Sequence, residues 1–167
     1  MLINQIDTMS QVANAFSDYA TLPKAQLKPD DLVALTKRAA AVFEQVEVRF
    51  SSEVPSLIVQ LDRTQWIRVM TNLIQNGIQS VAPEIPPKID VHIATQENEV
   101  NISVSDNGQG IAEENMDKIF EPKFTTKTKG MGLGLGIVRN IISSHNGTIS
   151  FTSKVEEGTT FVIRIPV

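Results

Sequence analysis

Cysteine is absent from this sequence of 167 residues. Its absence excludes disulfide bonds, thiolate chemistry and a zinc site built from cysteine, and it fits a cytosolic protein. Apolar runs long enough to span a membrane are also missing, and no signal peptide precedes Leu2. We therefore expect the polypeptide as given to be soluble.

An excess of positive charge is missing too. The chain carries 15 Lys and Arg against 19 Asp and Glu, which gives a net charge of −4. Without a basic excess there is no electrostatic reason to bind nucleic acid or an anionic membrane, so we predict no nucleic acid among the partners. Hydrophobic residues make up 41% and charged residues 20%, as in globular proteins. The length indicates one domain, or one domain with an appendage.

Glycine is scarce outside one stretch. Six of the nine glycines lie in two clusters, D-N-G-Q-G-I (Asp106–Ile111) and G-M-G-L-G-L-G (Gly130–Gly136). Because glycine weakens regular structure, the clusters indicate either turns through positive φ or a close approach of another group to the main chain. A glycine-rich run that opens a helix presents N–H groups suited to phosphates. Either cluster alone favours a tight turn beside a flexible loop. Both clusters together, with Asp106 at the start of the first one, favour nucleotide binding.

The first part of the chain alternates helical and extended patterns. Apolar residues at spacings of three and four predict a bundle helix over residues 2–20 whose partner is missing; an amphipathic helix folded back on the domain is the alternative. Two prolines predict a linker over Leu22–Asp30, and a second helix follows it. The alternating segments Val46–Phe50 and Leu57–Leu61 are predicted as two strands joined around Pro55.

The remaining elements surround the glycine clusters. A long helix is predicted over Arg63–Val81, and its residue Asn76 lies at the edge of the apolar face, where a carboxamide needs a specific partner such as a loop carbonyl. Two strands joined by a hairpin turn follow, and the second ends at Asp106, where ligand-binding loops of α/β folds begin. The charged segment 113–129 predicts a mobile lid, with an ordinary surface loop as the alternative. A buried helix and two strands close the chain, over residues 133–142, 148–153 and 160–165.

Five short motifs occur in one order along the chain. They are Asn76 on its helix, Asp106-x-Gly108-x-Gly110, the pair Phe120 and Phe124, Gly130-x-Gly132-Leu133-Gly134, and Gly158-Thr159. With these motifs the chain resembles the GHKL (Bergerat-fold) ATP-binding family over Pro29–Val167, and within it the catalytic domain of sensor histidine kinases. The segments F-E-P-K-F-T-T-K and H-N-G-T-I are most similar to the nitrogen-regulation type.

The resemblance implies a fold and a division into domains. The fold would be an α/β (α+β) two-layer sandwich, with a mixed five-stranded sheet covered on one face by about three helices, plus an N-terminal bundle helix. Residues 1–28 would be the end of the dimerisation and histidine-phosphotransfer helix with its linker. Residues 29–167 would be the catalytic ATP-binding domain of an ATP-dependent protein histidine kinase, a transferase of two-component signal transduction.

The resemblance also implies a role for each site residue, with ATP and Mg²⁺ as cofactors. Asp106 would accept a hydrogen bond from the adenine amino group, with support from Thr159, and the glycines that follow Asp106 would let the main chain pass close to the base. Asn76 would bind Mg²⁺ through its amide oxygen, Lys127 would neutralise the terminal phosphate, and the N–H groups of Gly132–Gly134 would bind phosphates. The catalytic set would be Asn72, Asn76 and Lys127, and the ATP-binding set Asn76, Asp106, Gly108, Gly110, Ile111, Phe124, Thr125, Thr126, Lys127, Gly130, Gly132, Leu133, Gly134, Leu135 and Thr159.

The sequence departs from the family pattern at the phosphoacceptor. The family motif, a histidine followed by an acid, is absent, and neither His92 nor His145 matches it. We therefore expect Met1 to open a fragment, with the acceptor histidine upstream in the same protein. Hydrolytic relatives carry a glutamate four residues before the metal-binding asparagine, and Asn72 at that position cannot act as a base. Asn72 thus favours a histidine over water as the target.

Two other interpretations stay open: a nucleotide-binding regulatory module that transfers no phosphate, and a slow ATPase of the same superfamily. The partners implied by the resemblance are the upstream histidine-phosphotransfer domain, a response regulator receiver domain and a second copy of the full-length protein. The domain would be cytoplasmic, and anchoring of the parent protein in the inner membrane is left open.

Overall fold

The computed structural model describes residues 23–121 and 134–167. The helix predicted over residues 2–20 lies outside these ranges, as do residues 122–129 of the segment 113–129 that is predicted as a lid. The strands are β1 (Lys28–Asp31), β2 (Glu47–Ser52), β3 (Ile58–Leu61), β4 (Lys88–Gln96), β5 (Glu99–Asp106), β6 (Thr148–Lys154) and β7 (Gly158–Pro166). The α-helices are α1 (Leu32–Ala41), α2 (Arg63–Gln79) and α3 (Gly134–Ser144), and Glu113–Lys118 forms a short 3₁₀ segment.

Five strands form one mixed sheet in the order β2-β4-β5-β7-β6. β2 and β4 are parallel, whereas each other neighbouring pair in this sheet is antiparallel. Gln96 pairs with Glu99, so the predicted hairpin between β4 and β5 is present. None of the helices in residues 23–121 and 134–167 is long and apolar enough to cross a membrane.

The helices cover one face of this sheet. Along β4 the alternate residues Ile89, Val91 and Ile93 are at most 1% exposed, whereas the residues between them face away from the core. β5 and β7 alternate in the same phase, so one face of the sheet is buried and the other is polar. α2 is the central helix, and the indole Nε1 of its buried Trp66 donates to Thr36 Oγ1 of α1 at 3.0 Å. The predicted two-layer α/β fold is confirmed.

One prediction at the N-terminal end of the domain is wrong in part. Part of the predicted linker is a strand, since Lys28–Asp31 pairs with Ile58–Leu61. The two strands predicted around Pro55 are present as β2 and β3, but β2 joins the large sheet beside β4 and β3 joins β1. Alternation along a strand marks its buried side but does not identify the neighbouring strand. Partners are selected by contacts between residues far apart in the sequence.

His145 joins the end of α3 to the beginning of α2. It is 2% exposed, and its Nε2 accepts a hydrogen bond from the main-chain N–H of Asp62 at 3.0 Å. Its Nδ1 lies 2.8 Å from the carbonyl oxygen of Ile141, so the Nδ1–H tautomer satisfies both contacts. Asp62 in turn caps α2 by accepting from the N–H of Gln65 at 3.1 Å. One buried side chain thus fixes two helices relative to each other.

Replacing this histidine should destabilise the domain. We expect His145→Ala to lower the free energy of unfolding by about 2–4 kcal/mol, because the Asp62 N–H loses its acceptor and the missing ring leaves a cavity. Urea denaturation followed by circular dichroism measures the change. His92→Ala is the matched control: His92 lies on the polar face of β4 and pairs with Ser51 at its surface, so its loss should cost no more than about 0.5 kcal/mol. Equal effects of the two substitutions would contradict the structural role of His145.

Asp31 caps α1 and accepts hydrogen bonds from the loop that precedes β3. Its Oδ1 accepts from the N–H groups of Val33 and Leu57, each at 3.1 Å, and its Oδ2 accepts from Ser56 Oγ at 2.9 Å. Burial raises the pKa of Asp31, but these hydrogen bonds to the charged carboxylate outweigh burial and hold the pKa below its ordinary value.

The contribution of Asp31 to stability should depend on pH in one direction. Above the ordinary carboxyl pKa of 3.8 the group is ionised in both the folded and the unfolded chain, so its contribution is complete. Below that value the unfolded chain binds the proton first, and the contribution is lost as the pH falls through the lowered folded-state pKa. We expect Asp31→Asn to lower the free energy of unfolding by about 1 kcal/mol at pH 7 and by less at pH 3. Urea denaturation at both pH values tests this, and an equal loss at both would contradict it.

Candidate functional site

Asp106 is the last residue of β5, and its carboxylate is held by the main chain. Oδ1 accepts from the N–H of Gly108 at 2.9 Å and from the N–H of Thr159 at 3.2 Å. Ser80 Oγ lies 3.3 Å from the same oxygen and 2.7 Å from the carbonyl oxygen of Gly77. Hydrogen bonds from two N–H groups orient a carboxylate. The side chain is therefore a fixed, half-buried acceptor at the end of the sheet.

Helix α2 brings Asn76 to the same end of the sheet. Gly77, the next residue, lies so close to β4 and β5 that a Cβ on it would stand 2.9 Å from Ile89 Cδ1 and 3.1 Å from Asp106 Cβ. A larger residue would force Ile89 or Asp106 to shift, and the close packing of Gly77 places Asn76 one residue from the contact with Asp106. Asn72 lies one turn earlier, and both asparagines are half-buried. Asn76 therefore lies next to the contact between Gly77 and Asp106, and the roles of Asn72 and Asn76 stay predictions.

The glycines in the turn after Asp106 are required by the backbone conformation and by contacts with other residues of the protein. A Cβ on Gly108 would overlap Ser80 Oγ, and Gly110 has a φ of +77° with the carbonyl of Lys154 directly against it. The turn is also tied to its surroundings by main-chain bonds, from Gln109 N to the Ser80 carbonyl at 3.0 Å and from Glu156 N to the Gln109 carbonyl at 2.7 Å. The passage of the main chain close to a base stays a prediction, and packing inside the protein already explains both glycines.

Ser80 and Ser153 complete the site, and the sequence pattern alone did not single them out. Ser153 Oγ accepts from the N–H of Ile111 at 2.7 Å and lies 2.7 Å from Thr159 Oγ1. A signal for Ser153 exists in the sequence: it follows Ile149 and Phe151 in the same strand phase, and a polar residue in an apolar phase needs a partner.

A cavity of about 460 Å³ opens beside this turn. Such a volume lies within the range of small-molecule sites. Phe120 lies near it, with its ring centroid 6.0 Å from that of Phe151 and 6.4 Å from that of Phe161. The segment between the 3₁₀ turn and residue 121 is thus anchored on the sheet. The cavity is lined by Gln109, Gly110, Ile111, Ala112, Asn115, Ile119, Val155 and Glu156.

Helix α3 begins at Gly134, with Leu135 half-exposed in its first turn. Apart from the helix itself and its chain neighbours, no atom in the described residues lies within 4 Å of a Cβ built on Gly134. The first N–H groups of a helix have no partner within the helix, which is why a helix start suits a phosphate group. The predicted residues Phe124, Thr125, Thr126, Lys127, Gly130, Gly132 and Leu133 lie outside the described residues.

Asn76 is the residue predicted to bind magnesium carried by a nucleotide. Within residues 23–121 and 134–167, no group of three or more His, Asp or Glu side chains is placed to hold a metal. Mg²⁺ bound together with phosphates needs only one or two protein oxygens, because phosphate oxygens and water complete its shell. The amide oxygen of Asn76 has the chemistry for that role.

Comparison with known proteins gives a consistent set of matches. Residues 61–167 match the family described as histidine kinase-, DNA gyrase B- and HSP90-like ATPase. The chain is 31% identical to sporulation kinase B of Bacillus subtilis (strain 168) over 174 residues, which cover 99% of this chain and 40% of that protein. It is 30% identical over 162 residues to an NtrY-like sensor histidine kinase of Rickettsia conorii, covering 95% of this chain and 27% of that protein. The chain thus spans less than half the length of these relatives.

Solved structures extend the similarity to the fold. The catalytic domain of the histidine kinase ThkA, in a nucleotide-free form, superposes with a TM-score of 0.75 at 34% identity, covering 84% of this chain and 95% of that one. The same kinase in complex with the response regulator protein TrrA superposes with a TM-score of 0.80 at 29% identity, covering 98% of this chain and 48% of that one.

Proposed function

The chain belongs to the histidine kinase-, DNA gyrase B- and HSP90-like ATPase family as a catalytic domain of the histidine-kinase type, and we propose that it transfers the γ-phosphoryl group of ATP to a histidine. The acceptor would lie upstream in the same protein, in a dimerisation and phosphotransfer domain whose last helix and linker would precede β1. A response regulator receiver domain would then take the phosphoryl group. The parent protein would act as a homodimer, with this domain in the cytoplasm and the parent either soluble or anchored in the inner membrane.

The observation that carries the proposal is the fixed carboxylate of Asp106. Its Oδ1 is held by two main-chain N–H groups, so the carboxylate presents acceptor oxygens in one orientation. An acceptor of fixed position at the end of a sheet suits the amino group of adenine, which is a donor. The turn through Gly110 and Ile111, with the cavity beside it, would form a wall of the base site.

The phosphate end of the site would lie between α2 and the start of α3. Asn76 would hold Mg²⁺ by its amide oxygen, and the ion would neutralise charge on the phosphates. The N–H groups at Gly134 and in the preceding glycine cluster would bind phosphate oxygens, and Lys127 would approach the terminal phosphate. Asn72, four residues before Asn76, has no basic group for activating water. A neutral imidazole acceptor needs no deprotonation to attack phosphorus, so this arrangement favours histidine.

Phosphoryl transfer provides the direct test. With γ-labelled ATP and Mg²⁺, the chain alone should release phosphate only slowly, whereas adding the histidine-bearing upstream segment should give acid-labile, alkali-stable phosphohistidine on that segment. A segment whose histidine is replaced by alanine is the control and should stay unlabelled. Rapid phosphate release by the chain alone would indicate a hydrolase. If the chain binds ATP but transfers no label to the upstream segment, the chain is a nucleotide-binding module.

A further inference from the structure

His145 is a buried titratable group that the proposed mechanism does not use. The sequence contains two histidines, and histidine is the side chain whose ordinary protonation falls between about pH 5 and pH 8. The other histidine, His92, lies on the polar face of the sheet, where its Nδ1 is 2.7 Å from Ser51 Oγ. A change of the domain in this pH range is therefore expected to begin at one of these two rings.

The ring nitrogens of His145 are both bonded, and the two bonds fit the neutral ring. Nδ1 lies 2.8 Å from the carbonyl oxygen of Ile141, which can only accept, so Nδ1 carries the hydrogen. Nε2 lies 3.0 Å from the main-chain nitrogen of Asp62, which can only donate. A proton on Nε2 would turn this acceptor into a donor that faces the Asp62 N–H, and the bond would be lost.

The carboxylate of Asp62 is the charged side-chain group beside this bond. Its Oδ1 accepts from the N–H of Gln65 at 3.1 Å, and its Oδ2 accepts from the N–H of Gln26 at 2.9 Å. Val167, which lines the cleft next to the ring, adds the carboxylate that ends the sequence. The other described residues that line this cleft have uncharged side chains and are Leu27, Ile58, Val59, Gln60, Asn146 and Pro166.

The same group holds the residues that enter the domain before β1. Gln26 is bonded to the Asp62 carboxylate, and the carbonyl oxygen of Pro23 accepts from Gln65 Nε2 at 2.8 Å. Gln65 is 7% exposed and lies in the first turn of α2, which Asp62 caps. Residues 23–27 are therefore attached to α2 through groups that lie next to His145.

We propose that His145 is a pH-sensitive switch that sets how firmly residues 23–27 are held to α2. The neutral ring accepts from the Asp62 N–H, and the Asp62 carboxylate accepts from Gln26. The protonated ring no longer accepts, its positive charge attracts the Asp62 carboxylate, and the bond to Gln26 is released. The stability that His145 contributes is therefore present at neutral pH and is lost as the pH falls through the range in which histidine binds its proton. The switch requires no nucleotide.

NMR spectra of the full chain between about pH 8 and pH 5 test the switch in the wild-type protein. We expect the amide signals of Gln26 and Asp62 to shift along one titration curve with the ring signals of His145. The side chain of His145→Gln can accept from the Asp62 N–H but does not titrate in this range, so both amide signals should stay in place. His92→Gln is the matched control and should keep the shifts of the wild type.

Urea denaturation gives a second readout. As the pH falls across this range, the unfolding equilibrium constant of the wild type and of His92→Gln should rise about 3- to 10-fold, the worth of one hydrogen bond, and that of His145→Gln less than about twofold. The proposal is overturned if the ring of His145 titrates while the amide signals of Gln26 and Asp62 stay in place, or if the ring stays neutral throughout. An equal pH dependence of His145→Gln and the wild type would overturn it too. The wild-type titration decides the matter if His145→Gln does not fold.

Discussion

Asp106→Asn should reduce ATP affinity at least about 100-fold while the domain stays folded. In the wild-type protein Oδ1 accepts from the N–H groups of Gly108 and Thr159. An asparagine must keep its amide oxygen toward these two donors, because the opposite orientation would set its NH₂ group against them. The NH₂ group therefore takes the other position, where the proposed adenine amino group is itself a donor. Two donors cannot form a hydrogen bond, and binding is lost.

The same argument predicts a change of preference. Inosine triphosphate carries an acceptor oxygen where ATP has the amino group, so the asparagine variant should gain affinity for inosine triphosphate relative to ATP. Calorimetry with both nucleotides measures this, and thermal unfolding confirms the fold. Asp90→Asn is the matched control, since it removes the same charge from an exposed position of β4. Unchanged ATP affinity of the Asp106→Asn variant would show that Asp106 does not bind ATP.

Asn76→Ala should lower phosphoryl transfer to the histidine-bearing segment at least about 100-fold at saturating ATP. Asn76 lies on α2 directly before Gly77, whose close contact with Asp106 brings this turn of the helix to the site. An alanine has no oxygen to bind Mg²⁺, so the charge on the phosphates would be neutralised less well. Transfer should recover in part as the Mg²⁺ concentration rises, because a weakened metal site fills at higher concentration.

Labelled ATP at several Mg²⁺ concentrations measures this effect. Gln75→Ala is the matched control: it lies one residue away on the same helix and is exposed, so transfer should stay within about twofold of the wild type. Asn72→Ala should slow transfer less than Asn76→Ala does, since Asn72 is one turn farther from the contact between Gly77 and Asp106. Full transfer by Asn76→Ala, with an unchanged dependence on Mg²⁺, would exclude Asn76 as the ligand.

Several site residues were predictable because each motif combines a residue type with a local geometric requirement. Asp106 at the end of a strand and Thr159 directly after a glycine are visible in the sequence, and the structure joins them by a hydrogen bond. Gly77 was not marked by any pattern, because its need arises from Ile89 and Asp106 on other elements. Ser80 and Ser153 escaped prediction for the same reason, since their partners lie 26 and 42 residues away.

The sequence by itself determined that the five segments of the large sheet are strands and that three described segments are helices, because alternation and helical spacing are local consequences of which side chains must leave water. It also determined the family, through motifs short enough to read along the chain. Only the tertiary structure decided that β3 pairs with β1 instead of with β2, and that Ser153 links Ile111 to Thr159. These choices depend on hydrogen-bond donors and acceptors that meet only after the chain has folded, so no pattern within one segment contains them.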